Sequence, residues 1–146
     1  MKTLARTISF TFALCVSLSL SAFAIGAQTQ ARVRVAVLDF GESPTGIRAA
    51  ENVRRALTID KLAVDSGLSV IDRNLALAAA LGNGYQGSLN LTTREARDMG
   101  AAIGCDFFII GNAETVKRSP STGADYFESY AVIFIVSART GQLIWW

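Results

Sequence analysis

Arg32-Val33-Arg34-Val35-Ala36-Val37-Leu38-Asp39-Phe40 is the stretch whose reading decides the fold. It opens as an alternation that puts Val33, Val35 and Val37 on one face of a strand. Ala36 and Leu38 then make the opposite face apolar as well. Side chains of a strand alternate between faces, so a β-rich run that is apolar on both belongs in a sheet covered above and below. Gly41, Ser43 and Pro44 end it. The first strand is therefore predicted to be an inner one.

Outward from this strand the pattern changes period. Residues 45–64 read as a helix, with Ala50, Val53 and Leu57 at helical spacing and Glu51, Arg54 and Arg55 as charges between them. Gly67 is the expected C-terminal cap. Residues 68–71 form a short second strand ending in Asp72-Arg73, and Asn74 is the expected cap of a helix over residues 75–81 that Gly82 stops. Residues 82–88 are a loop. Thr92 and Glu95 stand at capping-box spacing, and Ala96, Met99 and Ile103 share one face of the helix that follows, which Gly104 ends.

The last part of the chain has no helical period. Residues 105–116 read as a third strand, apolar on both faces over residues 107–110 and alternating after Gly111. A turn over residues 117–125 leads to a fourth strand at 126–138, whose centre, 131–136, is again apolar on both faces. Arg139-Thr140-Gly141-Gln142 makes a hairpin turn into a fifth strand from Leu143. Strands separated by helices pair in parallel, and strands joined by short turns pair antiparallel. The expected fold is α/β: one mixed sheet of about five strands, the first two parallel and the last three an antiparallel meander, with helices packed on it.

Upstream of the first strand, Lys2 and Arg6 precede an apolar run over residues 8–23, and small residues follow at Ala22-Phe23-Ala24 and Ile25-Gly26-Ala27. This is the layout of a cleavable secretory signal peptide over residues 1–27. A permanent span would need about 20 apolar residues. Here five serines and threonines from Ser9 to Ser21 dilute the run, and no basic stop-transfer cluster follows. Cys15 is a poor lipidation site, because Leu14 stands where a small residue is wanted and the cysteine lies in mid-run. The domain proper is then 28–146.

Composition excludes several function classes. The leader takes two of the 14 Lys and Arg and none of the 12 Asp and Glu, so residues 28–146 are formally neutral and lack the basic excess that nucleic-acid binding needs. The chain has no histidine, which removes Ser-His and Cys-His nucleophiles and the usual zinc sets. Cys105, left without a second cysteine, reads as a small buried residue. Asp39-Phe40-Gly41 copies a kinase metal-binding tripeptide but has none of its companions. Gly41 to Gly46 lacks the Lys and Ser/Thr of a phosphate loop. Gly82-Asn83-Gly84 follows a helix and fails as a dinucleotide fingerprint. Asp60, Asp65 and Asp72 lack calcium-loop spacing and read as solvated surface. Asn90-Leu91-Thr92 fits a glycosylation sequon, and Thr92 is equally a helix cap. No catalytic, cofactor-binding or metal-ligating residue is named, and no cofactor or small-molecule substrate is expected.

Aromatic residues concentrate late in the chain, at Tyr126, Phe127, Tyr130, Phe134, Trp145 and Trp146. Aromatics are strand formers and mostly serve as core or cross-strand pairs. Tyr126 and Tyr130 share a face with Glu128, and that stripe becomes an interaction surface if the fourth strand lies near an edge. The chain stops at Ile144-Trp145-Trp146, within an apolar strand, which reads as a fragment lacking its last elements.

Four segments, in order, resemble the CsgG-like family of bacterial envelope domains. They are Val35-Ala36-Val37-Leu38-Asp39-Phe40, Val70-Ile71-Asp72-Arg73, Ala101-Ala102-Ile103-Gly104-Cys105-Asp106-Phe107-Phe108-Ile109-Ile110-Gly111 and Val136-Ser137-Ala138-Arg139-Thr140-Gly141-Gln142-Leu143-Ile144. The resemblance implies a non-enzymatic periplasmic or outer-membrane-associated domain that works by protein–protein contact in envelope assembly or secretion, as in curli export. Its partners would be envelope proteins or further copies of itself, with membrane contact only indirect. The same fold type occurs in LpoB activators of peptidoglycan synthases and resembles the N-terminal domain of TolB, so a soluble synthase activator is the alternative. N-terminal sequencing of the exported protein is expected to start after Ala24 or Ala27. Retention of Met1 or Lys2 would refute the leader.

Overall fold

The computed structural model describes residues 32–61 and 65–146. The leader expected over residues 1–27 and its cleavage sites lie outside the described residues, as do 62–64 at the end of the predicted first helix. In order, the elements are β1 (Val33–Val37), α1 (Pro44–Ile59), β2 (Leu68–Val70), α2 (Arg73–Gly82), α3 (Thr93–Ile103), β3 (Phe107–Arg118), β4 (Tyr126–Ser137) and β5 (Leu143–Trp145).

The strands form one mixed sheet in the order β2-β1-β3-β4-β5. β1 is parallel to both neighbours, with Val33 opposite Leu68 on β2 and Val35 opposite Phe107 on β3. The pairs β3–β4 and β4–β5 are antiparallel. The mixed sheet read from the sequence is thus the observed one.

Both faces of β1 are covered, by different helices. Val35 and Val37 join Phe40, Ala50, Ile109 and Ala113 on the α1 side. Ala36 and Leu38 join Ala76 and Ala80 of α2, Ala96 and Met99 of α3, and Phe108 and Ile110 of β3 on the other side. Two cores therefore share one strand. Phe40, Phe108, Leu38 and Met99 are the largest fully buried side chains, each contributing about 1.5–3 kcal/mol by removal from water.

Local chemistry sets the helix ends, and two expectations shift. At α1, Ser43 Oγ accepts from Gly46 N at 3.0 Å and Pro44 takes the first helical position. The helix is interrupted at Asp60, whose backbone is already extended; Lys61 and Asp65 are helical again, and Gly67, the expected cap, follows in the turn before β2 with φ of 77°. At α2 the cap is Asp72 and not Asn74: Asp72 Oδ1 accepts from Asn74 N and Leu75 N at 2.9 and 3.2 Å, so the helix begins two residues early. Asp72 is thereby a structural cap and not only solvated surface. The capping box of α3 forms as expected, with Glu95 N donating to Thr92 Oγ1 at 3.2 Å and Thr92 N to Glu95 at 2.8 Å. The bonds that its carboxylate accepts from the Thr92 N–H and hydroxyl hold the Glu95 carboxyl below its ordinary value.

One glycine fixes how closely α3 seats on the sheet. A Cβ added to Gly100 would stand 2.4 Å from the Ala138 Cβ and 2.8 Å from its Cα. Gly100→Ala is expected to lower stability by about 1–3 kcal/mol through overpacking. Gly82→Ala, where a Cβ meets nothing within 4 Å, should raise it by roughly 0.5–1 kcal/mol through the unfolded chain. Urea midpoints of the two variants check the contrast.

Candidate interaction surface

The paired length of β3 and β4 exceeds the depth of the sandwich. Twelve residues of each strand pair, from Phe107–Ser137 to Arg118–Tyr126. Over Phe107–Ala113 and Ile133–Ser137 the hairpin is mostly buried or half-buried; over residues 126–132 every residue is exposed. The outer half is therefore a two-stranded arm with solvent on both faces. Isolated two-stranded ribbons are marginal in water, so the arm depends on its buried base and on cross-strand side chains.

Those cross-strand contacts are specific. Tyr130 Oη donates to Glu114 at 2.9 Å, Thr115 and Ser129 hydroxyls pair at 2.8 Å, and Arg118 Nε donates to Glu128 at 2.8 Å. Lys117 pairs with Asp125 beside the turn. The bonds that Glu114 accepts from Asn112 and Tyr130 hold its carboxyl below the ordinary range, and the same contact raises the Tyr130 phenol. On the α1 side, Thr45 Oγ1 lies 3.0 Å from Thr115 Oγ1, and Ser43 Oγ donates to the Ala113 carbonyl at 3.0 Å, bracing the base of the arm.

What the arm displays is aromatic. Tyr126, Phe127 and Tyr130 are 54, 73 and 43% exposed, and Val132 is 44% exposed. Tyr126, Glu128 and Tyr130 share one face, as the alternation required, and Phe127 projects from the other. The condition that the fourth strand lie near an edge is also met. β5 pairs only with Ile135 and Val136, so no strand among the described residues pairs with the outer side of β4 from Tyr126 to Phe134. Phe134, by contrast, is half-buried against the α2–α3 core. Leu143, Ile144, Trp145 and Trp146 are all exposed along β5 and its end.

A second feature lies at the carboxyl end of β1, where parallel sheets commonly receive ligands. A cleft of about 590 Å³ is lined by Leu38, Asp39, Glu42, Ile47, Leu77 and Tyr85, among others. Burial pushes the Tyr85 phenol up to about 12. Asp39 is committed elsewhere. Arg54 Nη2 donates to Asp39 Oδ1 at 2.7 Å, and Arg54 Nε and Nη2 donate to the Val37 carbonyl at 3.1 and 2.9 Å. Arg73 pairs with the other Asp39 oxygen. Arg54, expected among the exposed charges of α1, is 7% exposed and points inward. Burial would raise the Asp39 carboxyl, but the bonds from Arg73 and Arg54 outweigh it and hold the group below the ordinary 3.8.

Sequence reading missed this cluster because its members are 15 and 34 residues apart and each has an ordinary local role. Asp39 ends a strand, Arg54 sits in a helix and Arg73 starts one. The available signal was that Asp39 and Arg73 each belong to one of the four family-like segments; the structure joins those two segments by an ion pair. Cys105, expected to be buried, is half-buried, with Sγ 3.7 Å from the Gly100 carbonyl and burial pushing the thiol up to about 11. Among the described residues, no helix is long and apolar enough to cross a membrane.

Fold and surface together define a class: a mixed-sheet α/β domain whose exposed aromatic chemistry rides on a projecting β-ribbon. No family model matches the chain, and no curated protein matches it. Solved structures with a similar chain path include the LpoB C-terminal domain from Escherichia coli, at 17% identity and TM-score 0.42 over 77% of each chain. The LpoB C-terminal domain from Salmonella enterica gives 16% and 0.44, over 89% of this chain and 87% of that one. The hypothetical protein CT253 from Chlamydia trachomatis gives 13% and 0.47, over 79 and 69%.

Breaking the Asp39 cluster tests its structural role. Asp39→Asn takes the buried carboxylate from Arg54, leaves it only the half-exposed Glu51 at 3.2 Å, and is expected to cost about 1.5–3 kcal/mol, whereas Arg73→Ala, at a 37% exposed side chain, should cost about 1 kcal/mol or less. Because the folded carboxyl titrates below 3.8, its contribution is present above that pH and lost as pH falls through the depressed value. Urea melts of wild type and Asp39→Asn should therefore converge in acid.

Proposed function

We propose that this chain is a non-enzymatic docking domain of the bacterial cell envelope, acting by protein–protein contact as a periplasmic activator of the LpoB type on a peptidoglycan synthase. The observation that carries this reading is the β3–β4 arm: a braced ribbon, solvated on both faces, that presents Tyr126, Phe127 and Tyr130 beside an open strand edge. Exposed aromatics on a rigid support are the residue types that dominate binding energy at protein interfaces. An open edge also lets a partner add a strand through main-chain hydrogen bonds.

The same arm speaks against the other reading, a CsgG-type secretion channel. A membrane-spanning hairpin needs strands of about 9–11 residues with one continuous lipid-facing apolar row. Here one face of the outer arm carries Glu114, Arg118 and Glu128, and the other carries Thr115, Lys117 and Ser129. Neither face is ready for lipid. The expected export leader and the formally neutral domain fit a periplasmic location.

Reconstitution with the purified bifunctional peptidoglycan synthase of the host tests the proposal. The chain should bind the synthase and raise its glycan-polymerising rate. Phe127→Ser combined with Tyr126→Ser, both at exposed positions, should weaken binding by about tenfold or more without lowering the urea midpoint. An unchanged synthase rate, together with closed rings of the chain alone in native mass spectrometry, would overturn the activator in favour of the channel-type assembly.

A further inference from the structure

The opposite end of β4 carries a different chemistry. Arg32, which leads into β1, and Arg139, which follows β4, line one cleft of about 380 Å³ with Val33, Asp106, Phe107 and Ser137. β3 runs between those two strands, and its first residue, Phe107, supplies apolar surface to the cleft. Neither arginine makes an ion pair or a side-chain hydrogen bond among the described residues. By contrast Arg54, Arg73, Arg94, Lys117 and Arg118 all have carboxylate partners.

The cleft's own acid forms an ion pair with neither. Asp106 Oδ2 accepts from the Arg34 backbone N–H at 2.7 Å, and the Asp106 carbonyl accepts from Ala138 N at 2.9 Å. Asp106 is thus tied into the start of the sheet. Ser137 Oγ accepts from Thr140 N at 3.4 Å and keeps its own hydrogen to donate.

We propose that this cleft docks an acidic segment of a protein partner, whose carboxylates engage the guanidiniums of Arg32 and Arg139 while Val33 and Phe107 receive its apolar flank. Guanidinium forks match carboxylates in geometry as well as charge. Charge complementarity selects the occupant. The feature is a pair of cations beside apolar surface, not the broad basic stripe that a nucleic acid requires, and it sits in a formally neutral domain. The site lies at the far end of β4 from the aromatic arm, so it does not depend on what the arm binds.

Fluorescence anisotropy with a labelled oligo-glutamate peptide and the purified chain tests this. The peptide should bind at low salt and weaken as ionic strength rises. Arg32→Ala with Arg139→Ala should reduce affinity by about tenfold or more, whereas Lys117→Ala with Arg118→Ala on the arm should leave it unchanged. Circular dichroism confirms that both double variants fold. Absence of binding at low salt, or equal binding by the Arg32→Ala/Arg139→Ala protein, would overturn the site. So would tighter binding of phosphatidylglycerol vesicles or single-stranded RNA that the same pair of substitutions abolishes.

Discussion

The structure depends on one constraint: β1 has to be covered on both faces at once. Val35 and Val37 need α1, and Ala36 and Leu38 need α2 and α3. A strand with two apolar faces cannot stand at a solvated surface, so helices must cross to opposite sides of the sheet. The connection through α1 brings β2 to one side of β1, and the connection through α2 and α3 carries β3 to the other. Close approach of these layers needs small residues. Gly46, where a Cβ would stand 2.0 Å from the Phe40 carbonyl oxygen, and Gly100 against Ala138 supply it.

The Asp39 cluster secures what burial leaves loose. α1 and α2 pack on opposite faces and share no core, yet Arg54 from one and Arg73 from the other meet on a single carboxylate at the end of β1. Arg54 also satisfies the Val37 carbonyl, where β1 ends. A buried guanidinium is tolerable only with this number of acceptors. The pair therefore fixes the relative placement of the two helices and the mouth of the adjoining cleft.

Function follows from where burial stops. β3 and β4 are longer than the helices that cover them, so the outer hairpin has no layer to pack against. Its stability comes from side-chain pairs across the ribbon, and its aromatics stay in water. At the other end of β4, α3 still covers one face through Gly100 against Ala138, and the exposed groups lining the cleft beside it are arginines. One strand thus joins two surfaces of different chemistry, aromatic at its start and cationic beyond its end.

The sequence by itself determined the strands, the helices and the parallel-then-antiparallel order, because these rest on short-range periodicity and on turn residues. It also determined the capping box at Thr92 and the shared face of Tyr126, Glu128 and Tyr130, which are local spacings. Only the tertiary structure decided that Asp72 and not Asn74 caps α2, since both can cap and the choice depends on which carboxylate or amide reaches the first-turn amides. It alone turned Arg54 inward, because the buried acceptors that draw it there, the Asp39 carboxylate and the Val37 carbonyl, lie 15 and 17 residues away on another part of the chain. It alone left the aromatic stripe exposed, because whether a strand face is core or surface depends on which layers reach it. Periodicity reports that a face exists; what covers that face is a long-range fact.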